Sequence, residues 1–430
     1  MRLILTGARC PGDIAIEDGR ITAVGSFERT SEDLELDCDG NIITPGFVNT
    51  HHHLYQWMTR GRATGCDLFN WLKALYPVWS KMDAEDVHLA ALVGLAELAT
   101  SGATCVADHH YVVPRGDDSV FDAIADAART VGVRIVLSRG SMDLGESKGG
   151  LPPDEIVEDT EAVLRSTEAV ASRLHDGESI SVVVAPCSPF SVTPELMKES
   201  ATLARRLGLG LHTHLAETRA EEQDCLARFG RRPLELMEEF GWLGEDVWFA
   251  HGIHFDKSEI QLIGRMGTGV AHCPSSNARL ASGICPVVDL REAGAPVGLG
   301  VDGAASNEAG VIFSEMRQAV YLARLREMRP DALSAADGLS MATEDGARCI
   351  GRTDLGSLEP GSLADLAVWA ADDLADIEDP VTALVFGPER RVKHLLVAGK
   401  LVVEDGVPVG VDLRAIHAEL AHRSKRLFER

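Results

Sequence analysis

Eight short apolar runs alternate with longer amphipathic stretches through about 300 residues in the middle of the chain. The runs are GFVNTH, TCVADHH, RIVLSRG, SVVVAPC, LGLHTH, VWFAH, GTGVAHC and PVGLGVD. Stretches between them, such as residues 83–102 and 193–210, repeat apolar side chains at i, i+3 and i+4, which is typical of amphipathic helices. Strands that alternate with helices form a parallel sheet, and eight such units close a (β/α)8 barrel of the TIM type. We therefore expect an α/β protein with such a barrel over residues 46–354.

The two ends of the chain show a different pattern, in which short strands are separated by turns. The turn dipeptides are Asp18-Gly19, Asp39-Gly40 and Gly399-Lys400. Dipeptides of the Asp-Gly kind between apolar alternations are strong signals of β-hairpins. The sequence thus predicts a small, discontinuous β-sandwich domain formed by residues 1–45 and 355–410, followed by a C-terminal helix over 411–430.

Charge and cysteine content exclude several classes of function. The chain has 41 Lys and Arg against 66 Asp and Glu, a formal net charge of −25, which repels phosphate backbones and anionic lipids. No apolar run reaches the ~18–20 residues of a membrane span, so we expect a cytoplasmic protein without nucleic-acid or membrane partners. The nine cysteines are odd in number and form no CxxC, which argues against a disulfide framework or a structural zinc ribbon.

Histidine and aspartate stand at the ends of several apolar runs. These residues are His51, His53, His109, His110, His212, His214, His251, His272 and Asp302. At the end of one strand, a histidine is more often a hydrogen-bonded structural residue than a ligand. A barrel makes its strand ends converge, however, and the loops at the C-terminal ends form the active site. The pattern therefore predicts one histidine-rich site.

The spacing within two of these runs favours a metal centre. His51 and His53 are two residues apart, so at a strand end they point the same way. His214 is followed three residues later by Glu217, which places a ligand and an acid at one strand end. Three imidazoles with a carboxylate suit Zn²⁺, or Fe²⁺ at similar affinity, and leave room for a water whose pKa the metal lowers.

The ordered motifs PGFVNTHHH, HTHLAET, FAHG, CPSSN and GVDGAASN resemble the amidohydrolase superfamily, in its branch of mononuclear-metal aminohydrolases. The resemblance covers nearly the whole chain and implies one divalent metal, with Zn²⁺ preferred to Fe²⁺. The implied metal ligands are His51, His53, His214 and Asp302. The implied catalytic residues are Asp302, which accepts a proton from the attacking water, Glu217, which protonates a ring nitrogen, and His251, which polarises that water. The run SVVVAPC lacks the lysine that bridges two metals in binuclear relatives, which favours one metal.

The implied reaction is hydrolytic deamination of a small, neutral, amino-substituted N-heterocycle. Longer stretches such as SRGSMDLGESKGGLPP and LHTHLAETRAEEQDCL resemble family members that act on 8-oxoguanine, and this resemblance implies its conversion to urate and ammonia. Isocytosine, a pterin, or an amino- or chloro-substituted s-triazine are alternatives with the same site. A non-catalytic barrel that serves as a binding scaffold is the alternative from another class. Relatives of this kind also lead us to expect a homo-oligomer.

Several further residues are candidates for substrate contact, each with a structural alternative. They are Gln56, Trp71, Tyr76, Trp79, His110, Cys187 and His212. Aromatic faces suit planar ligands, but a helix core uses the same residues. Ala278 stands where the family resemblance suggests a larger residue such as methionine, and this substitution predicts a wider pocket wall.

Overall fold

The computed structural model describes residues 2–430, in which 17 strands form three sheets. The strands at the N-terminal side are β1 (Leu3–Thr6), β2 (Ile14–Glu17), β3 (Arg20–Val24), β4 (Leu34–Asp37) and β5 (Ile42–Pro45). Eight central strands follow: β6 (Phe47–His52), β7 (Ala103–His110), β8 (Arg134–Ser141), β9 (Ile180–Pro186), β10 (Leu211–Leu215), β11 (Val247–His251), β12 (Gly269–His272) and β13 (Val297–Leu299). The last strands are β14 (Leu366–Trp369), β15 (His394–Val397), β16 (Lys400–Glu404) and β17 (Val407–Pro408).

The eight central strands form one parallel sheet in sequential order, and each corresponds to one of the apolar runs. Its two outer strands meet, because the backbone N–H of Asp302 donates to the carbonyl of His51 at 3.0 Å. The N–H of Val301 also donates to Asn49 Oδ1 at 2.9 Å. The predicted (β/α)8 barrel is therefore confirmed.

Fifteen α-helices lie within the described residues, most of them between barrel strands. They are α1 (Leu68–Trp79), α2 (Ala84–Thr100), α3 (Ser119–Val131), α4 (Thr160–Leu174), α5 (Pro194–Leu207), α6 (Arg219–Phe229), α7 (Pro233–Glu239), α8 (Lys257–Met266), α9 (Pro274–Arg279), α10 (Val287–Glu292), α11 (Ile312–Glu327), α12 (Ala335–Ala342), α13 (Glu344–Cys349), α14 (Pro380–Phe386) and α15 (Leu413–Glu429). The two predicted amphipathic stretches are α2 and α5. A capping box of Asp83 and Asp86 begins α2, and Gly208 ends α5 in a left-handed conformation.

The remaining strands form two small sheets that pack together. One contains β3, β2, β1 and β4, and the other contains β17, β16, β15, β14 and β5, so the second combines strands from both ends of the chain. An apolar cluster between them includes Leu5, Ile16 and Leu396. This arrangement confirms a sandwich built from the two ends. The boundaries at 45/46, 354/355 and 410/411 stay a prediction.

Two of the three predicted turns join strands as hairpins. Asp18 and Gly19 connect β2 to β3, and both have a positive φ. The turn between β15 and β16 is one residue earlier than expected, at Ala398 and Gly399. The hairpin predicted at Asp39-Gly40 is wrong, because β4 pairs in parallel with β1 while β5 pairs with β14 in the other sheet.

The barrel interior divides along the strand direction. An apolar cluster including Val48, Cys105, Val136, Val183 and Trp248 occupies the first half of the strands. The histidines described below lie in the other half.

The C-terminal helix α15 lies outside the barrel. It packs against the 3₁₀ helix Leu54–Thr59, which follows β6. None of the helices in residues 2–430 has the length and apolar character required to cross a membrane.

Candidate metal centre and active site

Four side chains converge at the C-terminal end of the barrel. His51 lies near the end of β6, His53 follows that strand, His214 lies on β10, and Asp302 follows β13. Asp302 Oδ1 lies 3.5 Å from His51 Nε2 and 3.3 Å from His53 Nε2. His53 Nε2 and His214 Nε2 are 3.1 Å apart. The four residues predicted as metal ligands thus direct one donor atom each toward a common point.

Hydrogen bonds fix the orientation of two of these imidazoles. His53 Nδ1 donates to the carbonyl of His109 at 2.7 Å, and His214 Nδ1 donates to the carbonyl of Cys187 at 2.7 Å. A carbonyl oxygen only accepts, so each Nδ1 carries the proton and each Nε2 has a free lone pair. Backbone carbonyls of neighbouring strands therefore set the tautomer of both rings.

His51 is oriented through a second histidine. His212 Nδ1 donates to the carbonyl of Trp248 at 2.9 Å, so His212 Nε2 must accept. His51 Nδ1 lies 2.8 Å from that atom and donates to it. The Nε2 lone pair of His51 is consequently free as well. Support of this kind by a second hydrogen-bonded group is common around metal-binding histidines.

The donor set fits one divalent metal ion. His51 Nε2 is fully buried without a hydrogen-bond partner. His53 Nε2 and His214 Nε2 present lone pairs to each other. Burial lowers the pKa of His51 to about 3, so this imidazole is neutral and available as a ligand. Three nitrogen donors with one carboxylate oxygen match the coordination chemistry of zinc. A cation would satisfy buried donors that otherwise repel one another.

Asp302 is held by groups from α9 and from the loop that follows β13. Its Oδ2 accepts from Ser276 Oγ at 2.6 Å and from Ser306 Oγ at 3.3 Å, while its Oδ1 accepts from the N–H of Gly303 at 2.7 Å. All three groups donate to the charged form of this buried carboxylate, which favours that form. The carboxylate is therefore ionised and oriented.

Glu217 and His251 lie beside the ligand set. His251 Nε2 is 3.6 Å from Glu217 Oε2, and its Nδ1 donates to Asn277 Oδ1 at 2.9 Å. Glu217 Oε1 also accepts from Ser282 Oγ at 3.2 Å. Burial raises the pKa of Glu217 above its ordinary value. A shift in this direction suits a general acid.

A cavity lined by aromatic and apolar side chains opens onto these groups. Four of the predicted substrate-contact residues line it, namely Gln56, Trp71, Tyr76 and Cys187. Sequence reasoning missed other lining residues, which are Leu68, Leu72, Tyr111, Phe190, Leu280 and Ser306. Among the described lining residues there is no lysine or arginine, so the wall opposite the metal centre is uncharged.

Three predicted substrate-contact residues do not line this cavity. Trp79 is fully buried behind it, where its Nε1 donates to Thr59 Oγ1 at 3.0 Å. His110 points out of the barrel and packs edge-on against Tyr55 and Phe121. His212 lies below His51 and stacks on Trp248, with ring centroids 4.4 Å apart.

Ala278 does not widen the cavity wall as expected from the sequence. It is exposed on α9 and is absent from the lining, whereas Leu280 forms this part of the wall. Tyr111 could have been found from the sequence, since it lies two residues after His109, directly past the end of β7, where the alternation of the strand predicts the same face.

A model of the amidohydrolase family matches residues 42–402, and the chain belongs to this family. Its resemblance to the superfamily is thereby confirmed. The chain is 46% identical to 8-oxoguanine deaminase from Pseudomonas aeruginosa over 428 residues, covering 97% of this chain and 95% of that protein. It is 38% identical over 441 residues to isoxanthopterin deaminase from an unknown prokaryotic organism, covering 96% and 91%. The structure of atrazine chlorohydrolase from Arthrobacter aurescens TC1 complexed with zinc superimposes with a TM-score of 0.93 and 30% identity, covering 98% of this chain and 100% of that one.

Proposed function

We propose that the chain is a zinc-dependent deaminase that hydrolyses 8-oxoguanine to urate and ammonia. The observation that carries this proposal is the meeting of a metal-ligand set, a buried acid and an uncharged, aromatic-lined cavity at one end of the barrel. The similarity to 8-oxoguanine deaminase over almost the whole chain supports the choice of substrate.

The proposed ligands of the ion are His51, His53, His214 and Asp302. A bound zinc ion supplies a water of lowered pKa at neutral pH. Ser276 and Ser306 hold Oδ2 of Asp302, so that Oδ1 faces the other proposed ligands. Asp302 is therefore placed to accept a proton from the attacking water. The hydrogen bonds to its charged form keep this carboxylate ionised, as a general base requires.

Glu217 and His251 act on the substrate side. Glu217 donates a proton to the ring nitrogen beside the amino-bearing carbon, and the water oxygen adds to that carbon. His251 directs Nε2 toward the same position. Because its Nδ1 donates to Asn277, Nε2 stabilises the charge that develops on the oxygen when the ring is an imidazolium. Burial opposes that form, but the nearby Glu217 and Asp302 carboxylates outweigh it and raise the pKa of His251. Collapse of the tetrahedral carbon breaks the C–N bond. The amine leaves as ammonia after taking up the proton that Asp302 accepted, and the hydroxyl proton of the intermediate returns to Glu217 as the oxo group forms.

The cavity wall excludes water and orients a flat base. Trp71 donates its Nε1 proton to the carbonyl of Ala305 at 3.2 Å, so its ring is fixed while its face remains available for stacking. Gln56 Oε1 is buried without a partner and can accept a hydrogen bond from a ring N–H. An uncharged wall suits a neutral heterocycle that carries polar edges.

A substrate panel tests this proposal. Purified protein is incubated with 8-oxoguanine, isocytosine, isoxanthopterin and an amino-substituted s-triazine, while ammonia release is followed in a coupled assay and urate by chromatography. We expect kcat/KM for 8-oxoguanine to exceed the others by roughly tenfold or more, a typical discrimination between related bases. No turnover of 8-oxoguanine, with turnover of another compound, would transfer the assignment to that compound.

Metal analysis separates the enzyme from a non-catalytic scaffold. We expect about one equivalent of zinc or iron per chain, because the four protein donors form a single metal site. Less than about half an equivalent, with no deamination after zinc is added, would favour a scaffold.

The proposed homo-oligomer and the absence of nucleic-acid partners are separate proposals. Light scattering would test the first, and a binding assay with duplex DNA would test the second.

A further inference from the structure

A buried carboxylate lies directly behind the loop that carries Glu217. Glu221, on α6, is 1% exposed. Its Oε1 accepts from the N–H of Ala216 at 2.9 Å, and its Oε2 accepts from the N–H of Glu217 at 2.9 Å. Both oxygens of Glu221 therefore bind consecutive peptide groups, one of which belongs to the residue assigned as the acid.

These hydrogen bonds differ from those of an ordinary helix cap. Thr218 is the N-cap of α6, and its hydroxyl accepts from the N–H of Glu221 at 3.2 Å. In a capping box, the third residue of the helix would bind back to the N–H of the N-cap residue itself. Such boxes begin α2, α8 and α12. On α6, the carboxylate instead reaches past Thr218 to the two residues before it.

Burial at the position of Glu221 is energetically unfavourable for an ionised carboxylate. Burial raises its pKa to about 7, and the ion pairs of residues 2–430 include none with Glu221. Glu259 on α8 is similarly buried, but its carboxylate is paired with Arg232 at 2.9 Å. A buried acid without a cation contributes little to stability, so its placement is better explained by what it holds.

The loop that Glu221 holds is strained and linked to the next strand end. Ala216 has a φ of +54°, which costs energy for a residue with a Cβ. The carbonyl of Ala216 accepts from the N–H groups of Ile253 and His254, each at 2.9 Å. These residues follow His251, whose own φ is +74°. The two strand ends that carry Glu217 and His251 are thus tied together through the peptide groups that Glu221 binds.

From these contacts we infer that Glu221 is a positioning residue for the reaction, which fixes Glu217 relative to His251 without touching substrate. This inference rests on the proposed function, because it takes Glu217 as the acid. Glutamine at position 221 keeps one acceptor oxygen but directs an NH₂ group at the second peptide N–H. Loss of that bond lets the Glu217 loop relax from its left-handed conformation and moves the acid away from the ring nitrogen.

The test compares Glu221→Gln with a matched control, Glu259→Gln, which removes a buried carboxylate of equal size from a neighbouring helix. For Glu221→Gln we expect kcat to fall about 10- to 100-fold, as sub-ångström misplacement of a catalytic group does, with KM and metal content unchanged. Glu259→Gln should lower the thermal midpoint and leave kcat unchanged. Equal losses of kcat in both variants would show a general effect of destabilisation and overturn the inference.

A double variant isolates the route through Glu217. If Glu221 acts only by placing the acid, adding Glu221→Gln to Glu217→Gln should not lower the residual rate further. Should Glu221→Gln fail to fold, Glu221→Asp keeps the charge but is too short to reach both peptide groups, and we expect an intermediate loss of kcat. Normal kcat in Glu221→Gln, or in Glu221→Asp, would overturn the inference. A near-normal rate in Glu217→Gln would instead overturn the assignment of the acid.

Discussion

The two sides of the cavity are built in different ways. On the metal side, each donor lies at or just after a barrel strand, and the second polar atom of its side chain is held by a hydrogen bond to another part of the barrel or its loops. On the opposite side, the wall comes from Trp71 and Tyr76 of α1, Phe190 of the loop after β9, and Leu280 beside α9. The reaction is therefore fixed by the strand framework, whereas substrate choice depends on segments that can change without altering that framework.

The largest expected effect comes from removing a ligand on the metal side. His214→Ala deletes one of the converging Nε2 donors, so we expect loss of bound metal and no detectable turnover. Metal content by mass spectrometry and ammonia release measure both. His88→Ala is a suitable control, because this histidine on α2 bonds only to the carbonyl of Ala123. A His214→Ala protein with full metal content would contradict the ligand assignment.

Glu217→Gln should separate metal binding from proton transfer. Glutamine has nearly the same shape but no acidic proton, so we expect a fall in kcat of about 10²- to 10⁴-fold, the usual contribution of a general acid. Metal content and thermal midpoint should match the parent protein, since Glu217 is not among the converging donors. Turnover close to the parent rate would show that another group supplies the proton.

The support behind the metal side should make stability depend on pH. Asp108 Oδ1 accepts from the N–H of Leu54, just after His53, while its Oδ2 is buried without a partner. Burial raises the pKa of Asp108 to about 7. The folded state then binds more protons than the unfolded state between the unfolded pKa, about 4, and the folded pKa, so the free energy of unfolding falls as pH rises through this range.

Asp108→Asn removes this dependence. It keeps the acceptor for Leu54 but cannot ionise, so we expect it to stabilise the protein by roughly 4 kcal/mol above neutral pH and by little below about pH 4. Thermal midpoints of parent and variant at the two pH values check this. A difference between parent and variant that does not change with pH would show that Asp108 does not titrate as its burial requires.

The smallest effect is expected on the substrate side. Phe190 is partly buried and packs edge-on against Phe69 of α1, with ring centroids 5.1 Å apart. Phe190→Ala should raise KM by about fivefold, corresponding to about 1 kcal/mol of lost contact, while metal content and kcat stay unchanged. Leu325→Ala, an exposed position on α11, serves as the control. A loss of metal in Phe190→Ala would mean that the two sides are not independent.

The metal side could be predicted from the sequence because polar residues that end successive apolar runs are brought to one point when the strands close into a barrel. The spacing of His51 and His53 places both rings on one face, as the structure shows. The same rule does not give height along the barrel. His212 shares a face with His214. Because it comes two residues earlier on the strand, it lies about 6.6 Å deeper in the barrel than His214. It therefore supports His51 from below rather than facing the cavity.

The substrate side was harder to predict for two physical reasons. The doubled histidine of ADHHY fits either strand register, and only the pairing of β7 with its neighbours places His109 inward and His110 outward. Trp71 and Trp79 lie on one helix, yet which of them faces the cavity depends on how α1 docks against the barrel. Docking of a helix is set by contacts distant in sequence, which local periodicity does not contain.

The contact of α15 with the 3₁₀ helix Leu54–Thr59 has a consequence for synthesis of the protein. Ser424 Oγ donates to the carbonyl of Met58 at 2.7 Å, two residues beyond Gln56 of the cavity wall. The segment holding Gln56 emerges from the ribosome about 370 residues before its support, so it waits through most of translation without that contact. Nascent chains that stall before residue 424 can complete the metal-binding strands and still lack a properly held substrate wall.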